Sequence, residues 1–265
     1  MNIERKRSFD ATAELYDRIR PGYPDSLFDD LVALSGLPAG GTILDVGCGT
    51  GQATLPMARR GYRILALDLG ANMVAVARRK LAAFPVDVLQ GSFEQVVLEP
   101  AGFDLLISAT AWHWIDPAER YGRAAELLRD GGALGVFWNE YVKIDADGDF
   151  SAMLQPLYRR YAPALAAKFR NHTAAQIQPN VRDDIDRKLF GPVAVRRYEW
   201  QHSYDARAYT ELLSTYSDHL SLAPDARAGL LDGIADVIDT RFGGSITKGY
   251  LSTLYVAHKL DPAAS

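Results

Sequence analysis

A single cysteine, Cys48, occurs in 265 residues, which excludes an intrachain disulfide and a cysteine cluster for zinc. No metal is expected. Charge of one sign is also lacking, since 29 Lys and Arg stand against 33 Asp and Glu, a formal net charge of −4. A nucleic acid would find no broad cationic field, and the pairs Arg59-Arg60, Arg78-Arg79, Arg159-Arg160 and Arg196-Arg197 are read as solvated faces. No apolar run approaches the length of a membrane span, and the charged opening stretch MNIERKRSFD lacks the apolar core of a signal peptide. These absences point to a cytoplasmic protein with neither membrane nor nucleic acid as partner. Repeats and low-complexity tracts are absent too, while 48% apolar residues suffice for one large α/β domain or two small ones.

Phe9, Ala13, Tyr16 and Ile19 recur at helical spacing before Arg20-Pro21-Gly22, and Leu27 to Leu34 carry a second helical stripe ending near Gly36. From Thr42 the pattern turns to short apolar runs: Ile43 to Val46, Arg63 to Leu67, Val86 to Leu89, Phe103 to Ser108 and Ala133 to Trp138. Helix-like segments lie between them, the alternation of a mostly parallel sheet with helices on both faces. Pro56 is expected in a first helical turn. Asp116, Pro117 and Glu119 predict a helix start, and Gly131-Gly132 its stop. After Asn139 the rhythm fails, which suits a helical cap inserted after strand five. Val193 to Tyr204 and Ser245 to His258 read as extended, with helices over 206–220 and 225–241 between them, so that seven strands result. The chain therefore divides into 1–140 (helices and cofactor-binding core), 141–192 (helical cap for the substrate) and 193–265 (completion of the sheet).

The glycine turn Asp45-Val46-Gly47-Cys48-Gly49-Thr50-Gly51 follows the first strand, where open α/β sheets bind ligands. Glycines let backbone amides approach a ligand and accept positive φ. The third glycine of a dinucleotide fingerprint is replaced by Gln52. Asp45 would repel a pyrophosphate yet suits a ligand bearing an ammonium or sulfonium group. Asp68, ending the second strand, is placed to accept hydrogen bonds from both hydroxyls of a ribose. Gln52, Asp45 and the expected lack of a Tyr-x-x-x-Lys pair count against a nicotinamide-dependent reductase, which stays as one alternative; a protein that binds the cofactor without catalysis is another.

Leu44 to Gly51 resembles the first motif of the class I S-adenosylmethionine-dependent methyltransferases, and Asp68 matches their ribose acid. Phe9-Asp10 through Tyr16, Arg20-Pro21-Gly22-Tyr23-Pro24, Gly91-Ser92-Phe93-Glu94, Phe103-Asp104 and Ala111-Trp112-His113-Trp114 resemble the small-molecule branch called type 11. The resemblance implies a Rossmann-like fold that binds S-adenosylmethionine and releases S-adenosylhomocysteine. It places Gly47 and Gly49 against the methionine part, Asp45 at the amino group, Asp68 at the ribose, and Leu69 and Met73 on the adenine. Ser92 and Phe93 would meet the adenine edge, and the Ala109 carbonyl the amino group. Tyr16 and Arg20 would close over the cofactor, Arg20 on its carboxylate. Plainer readings stand beside these: Met73 as core, Arg20 as surface, Ser92 as a turn cap.

The implied activity is methyl transfer to O, N, S or C of a small-molecule acceptor by in-line displacement. His113 is the candidate base because its imidazole titrates near neutrality, with a structural role in its turn as the alternative. Trp112, Trp114, Trp138, Asn139 and Tyr141 are the candidate acceptor contacts, the tryptophans by shielding a sulfonium or attracting a cation. Tyr158, Tyr161, Phe150 and Phe169 could line a lid.

Overall fold

The computed structural model describes residues 12–167, 172–179 and 185–261. Phe9, Phe169 and residues 262–265, to which expectations were attached, lie outside them. Two helices, α1 (Ala13–Ile19) and α2 (Asp25–Ser35), precede β1 (Thr42–Val46). The chain then alternates through α3 (Thr54–Arg59), β2 (Arg63–Asp68), α4 (Ala71–Leu81), β3 (Val86–Gln90), β4 (Phe103–Ala109), α5 (Arg120–Leu127) and β5 (Leu128–Val142). Helices α6 (Phe150–Tyr161) and α7 (Pro163–Ala166) follow, and β6 (Ala194–Asp205), α8 (Ala206–Leu213), α9 (Ser217–Leu220), α10 (Pro224–Arg241) and β7 (Ser245–His258) close the order.

The seven strands form one sheet in the order β3-β2-β1-β4-β5-β7-β6. Pairings among β1 to β5 are parallel, and β7 runs antiparallel to both β5 and β6. Strands β2 and β3 build outward on one side of β1, and the chain then returns to place β4 on its other side. Between β1 and β4 the winding reverses, and there the carboxyl ends of the strands open a crevice. The continuous apolar runs are explained by burial on both faces: Leu27, Phe28 and Leu31 of α2 cover one side with Ile43, Leu105 and Phe137, while Leu44, Leu106, Leu134 and Val136 pack beneath α5 on the other. A third cluster joins α6 to α8, α10, β6 and β7, so the expected cap helix packs with the carboxy-terminal helices.

Both ends of α5 and the end of β5 depart from the pattern. Helix α5 ends at Leu127 rather than at Gly131-Gly132, because Leu128 already pairs with Phe103 in the sheet. Gly131, at φ +76°, instead sits in the irregular stretch before the Leu105–Ala133 register begins. Helix α5 also starts at Arg120 rather than at Asp116-Pro117, because those residues form a turn in which the Asp116 carbonyl accepts from the Glu119 and Arg120 amides and its side chain accepts from the Ala118 amide. Strand β5 continues to Val142, so Tyr141 belongs to the sheet. Pro56 falls in the first turn of α3, where its missing N–H breaks no helical bond. Among the described residues no helix is long and apolar enough to cross a membrane.

Candidate active site

The glycine turn is clamped to the neighbouring strand. The amides of Gly47 and Cys48 both donate to the Leu67 carbonyl, at 2.8 and 3.0 Å. Gly47, Gly49 and Gly51 all take positive φ, of 72°, 58° and 88°. A Cβ at Gly47 would lie 2.4 Å from the Ala111 Cβ, so the segment after β4 passes where any side chain would stand. Asp68 ties the turn from below the crevice: one carboxylate oxygen accepts from the Gly49 amide and the other from the Gly70 amide, each at 2.8 Å.

These groups border a cleft of about 260 Å³ at the switch point. Tyr16, Arg20, Gly47, Gly49, Asp68, Leu69, Met73, Ser92, Phe93 and Ala109, all expected at the cofactor, line it, and so do His113 and Trp114, expected at the acceptor. Leu69 is 39% exposed there, an apolar surface open to a flat ring. Met73 packs with Ala13, Val76 and Tyr16 and also lines the cleft.

Asp45 is brought to a different place. It is fully buried beneath the turn, outside the cleft lining, with one oxygen accepting from Thr54 Oγ1 at 2.6 Å and the other without a partner among the described residues. Burial raises its carboxyl to about 7, against a lowering by the Thr54 bond, and the charge of Asp68 raises it further. Folding therefore holds a proton that the unfolded chain releases near its ordinary value, so stability present at low pH is lost as pH rises toward 7. Asp45→Asn removes that dependence. Its melting temperature relative to wild type should climb between pH 5 and 7.5, reflecting about 2 to 3 kcal/mol; an offset that does not change with pH would refute the buried charge.

Three of the five residues expected at the acceptor separate from the others. Trp112 is 1% exposed and packs between Phe93 and Tyr121, so it is core and not cavity wall. Trp138 is likewise buried, and its indole N–H donates to His113 Nδ1 at 3.2 Å. Trp114 faces the cofactor cleft beside His113. As acceptor of that bond, Nδ1 holds the lone pair of the neutral ring, and the remaining proton sits on Nε2. A base role for His113 would require giving up Trp138.

Asn139 and Tyr141 do meet, in a second cavity of about 100 Å³ that shares Tyr16, Arg20, Gly47, Gly49, Ala109 and Thr110 with the first. Asn139 is fixed at both ends, donating to the Gly22 carbonyl at 2.9 Å and accepting from Ser252 Oγ at 2.6 Å. Tyr141 rests against the rings of Tyr216 and Tyr250. Arg20 bridges the cavities, with Nε on Thr215 Oγ1 and Nη2 on the Thr215 carbonyl, both at 2.8 Å, and its guanidinium between the Tyr16 and Tyr216 rings. Sequence reasoning missed Thr110, Tyr23, Tyr216 and Tyr250. Thr110 takes φ +55°, uncommon for a β-branched residue, and its hydroxyl meets that of Tyr23 at 2.7 Å. A Tyr-x-x-x-Lys spacing of the reductase kind occurs at Tyr255 to Lys259, but Tyr255 is buried and Lys259 holds the Leu128 carbonyl and Asp130, away from both cavities.

A parallel sheet switching between β1 and β4, a glycine turn of positive φ and an acid at the end of β2 together define a class I methyltransferase fold. Residues 44–136 match the family model described as "Methyltransferase domain". An uncharacterized methyltransferase of Mycobacterium bovis is 40% identical over 134 residues, 50% of this chain and 52% of that protein. Malonyl-[acyl-carrier protein] O-methyltransferase of Pectobacterium atrosepticum is 31% identical over 176 residues, 65% of this chain and 66% of that protein. The chain spans about half the length of the first of these relatives. A solved structure from Anaeromyxobacter dehalogenans, described as a candidate type II methyltransferase, superposes with a TM-score of 0.63 at 24% identity, covering 89% of this chain and 97% of that one, which shows the fold. Residues 44–136 thus carry a methyltransferase domain, within the fold shared with that structure.

Proposed function

We propose that the protein transfers the methyl group of S-adenosylmethionine to a small-molecule acceptor. The observation that carries this reading is the shared wall: the cleft beside Asp68 and the aromatic cavity meet at Gly47, Ala109, Thr110, Tyr16 and Arg20. A cofactor in one chamber would present its methyl to an acceptor in the other. The residues present fit the group, since the Asp68 carboxylate lines the cleft, Leu69 and Met73 offer an apolar face, and Gly47 and Gly49 bring no side chain to its wall. When bound, the cofactor supplies a methyl on a sulfonium whose leaving group is a neutral thioether.

The chain's own work is then alignment and exclusion of water. Holding the acceptor atom in line with the transferring bond in a cavity walled by Tyr16, Tyr23, Tyr216 and Tyr250 is the kind of positioning that supplies roughly 7 to 11 kcal/mol in well-oriented reactions. Asp68 and the glycine turn hold the nucleoside, and Arg20 faces the carboxylate of the methionine part. The Pectobacterium relative is named an O-methyltransferase, which favours oxygen among the acceptor atoms.

Calorimetric titration with S-adenosylhomocysteine, with NADH in parallel, tests the cofactor. Micromolar binding of the former alone is expected; binding of NADH alone would return the chain to the reductase reading.

A further inference from the structure

We infer that the acceptor is a small carboxylic acid, methylated on a carboxylate oxygen in the second cavity; this rests on the methyl-transfer reading above. Three properties of that cavity lead there. Its charge comes first. Among the described residues that line it there is no Asp, Glu, Lys or His, and Arg20 is the single ionised side chain. Its described partners are Thr215 and the two tyrosine rings, none of them acidic. Two of the five guanidinium N–H groups are engaged by Thr215, and three remain. If the cofactor's own carboxylate takes two of these in bidentate fashion, one is still directed to the acceptor side.

The second property is a surplus of donors. Tyr23 and Thr110 bring two hydroxyl protons to one shared hydrogen bond, and so do Tyr204 and Tyr250 at 2.6 Å. Each pair has one proton left for a third oxygen. Tyr216 lines the same wall, and its buried hydroxyl has no hydrogen-bond partner among the described residues. Unsatisfied buried hydroxyls are destabilising unless a ligand accepts from them. A carboxylate, with about four lone-pair sites and a negative charge, satisfies both the hydroxyls and the guanidinium. An ammonium group would bring more donors and a second positive charge.

The third is the lack of a base. Burial pushes the phenols of Tyr23, Tyr216 and Tyr250 upward, along with the Cys48 thiol. His113 lies on the other cavity with its Nδ1 held by Trp138. An alcohol or a protonated amine must lose a proton in transfer, and none of the described residues on this wall would accept it. A carboxylic acid arrives already ionised at neutral pH. The step balances without a proton: a carboxylate lone pair forms the O–CH3 bond, the S–CH3 bond breaks, and its electron pair remains on sulfur, leaving a methyl ester and S-adenosylhomocysteine.

The test uses protein loaded with S-adenosylhomocysteine and titrated with benzoate, hexanoate and succinate, each set against the amide, alcohol and amine of the same skeleton. At least one acid should bind tenfold or more tighter than its three counterparts. Tyr216→Phe should weaken that acid five- to tenfold while S-adenosylhomocysteine affinity stays within twofold. With methyl-labelled S-adenosylmethionine the product should be base-labile, releasing methanol on alkaline hydrolysis. Tighter binding of an amine or alcohol, a base-stable methylated product, or a loaded protein that binds none of the acids overturns the carboxylate assignment alone. Failure of S-adenosylhomocysteine to bind at all overturns the methyl-transfer reading first, and this one with it.

Discussion

Gly47→Ala is expected to lower stability by about 2 to 5 kcal/mol and to abolish measurable S-adenosylhomocysteine binding. Two costs add. At φ +72° an L side chain pays the left-handed penalty of roughly 1 to 2 kcal/mol. The new methyl would also stand 2.4 Å from the Ala111 Cβ, an overpacking of the kind that costs about 1 to 3 kcal/mol. The turn has no direction in which to yield, because the Gly47 and Cys48 amides are both anchored on the Leu67 carbonyl. The two terms separate experimentally. Ala111→Gly in the Gly47→Ala background should restore the packing part of the loss in urea denaturation and leave the backbone part. A Gly47→Ala protein with wild-type midpoint and affinity, or a double variant with no recovery, would show that the close approach of these two segments is not what shapes the cleft.

Strands β1 and β4 were legible because the centre of a sheet covered on both faces is largely apolar, as Ile43 to Val46 and Phe103 to Ser108 are, whereas β3 at the sheet edge is mostly exposed. The last strand was legible to the residue, Ser245 to His258, since a long extended run between glycines and a polar tail has few alternatives. The end of α5 was not, because Gly131 is a good helix stop that the pairing of Leu128 with Phe103 pre-empts. The acceptor wall failed for a reason already present in the sequence. Side chains on a strand alternate, so Trp138 and Asn139 cannot face one cavity. Asn139 and Tyr141 share a face and line the second cavity; Trp138 points the other way and holds His113. Trp112 follows the strand in a short 3-10 turn, whose direction no periodicity fixes, and it turns inward. Tyr216 and Tyr250 reach the site from segments more than 100 residues further on than Thr110, through the packing of α8 and α10 on β6 and β7. Only tertiary structure could reveal them.

Asp68→Ala should weaken S-adenosylhomocysteine binding by roughly 10- to 150-fold, the 1.5 to 3 kcal/mol typical of hydrogen bonds to a charged group. The same carboxylate also organises the turn, through Gly49 on one oxygen and Gly70 on the other, so a lost affinity by itself does not say which function was lost. An adenosyl ligand lacking both ribose hydroxyls resolves this. If Asp68 holds the ribose, that ligand already lacks the bonds, and wild type and variant should bind it within about twofold of each other, the size expected of uncoupled changes. If Asp68 acts only by shaping the turn, the variant should lose as much with the deoxygenated ligand as with the intact one. Asp68→Asn adds a third point. Its amide would present an N–H to either the Gly49 or the Gly70 amide, donor against donor, so it should fall close to Asp68→Ala despite being nearly isosteric. An asparagine variant with wild-type affinity would mean that only one oxygen of Asp68 is needed and that the two-sided tie seen here is dispensable to cofactor binding.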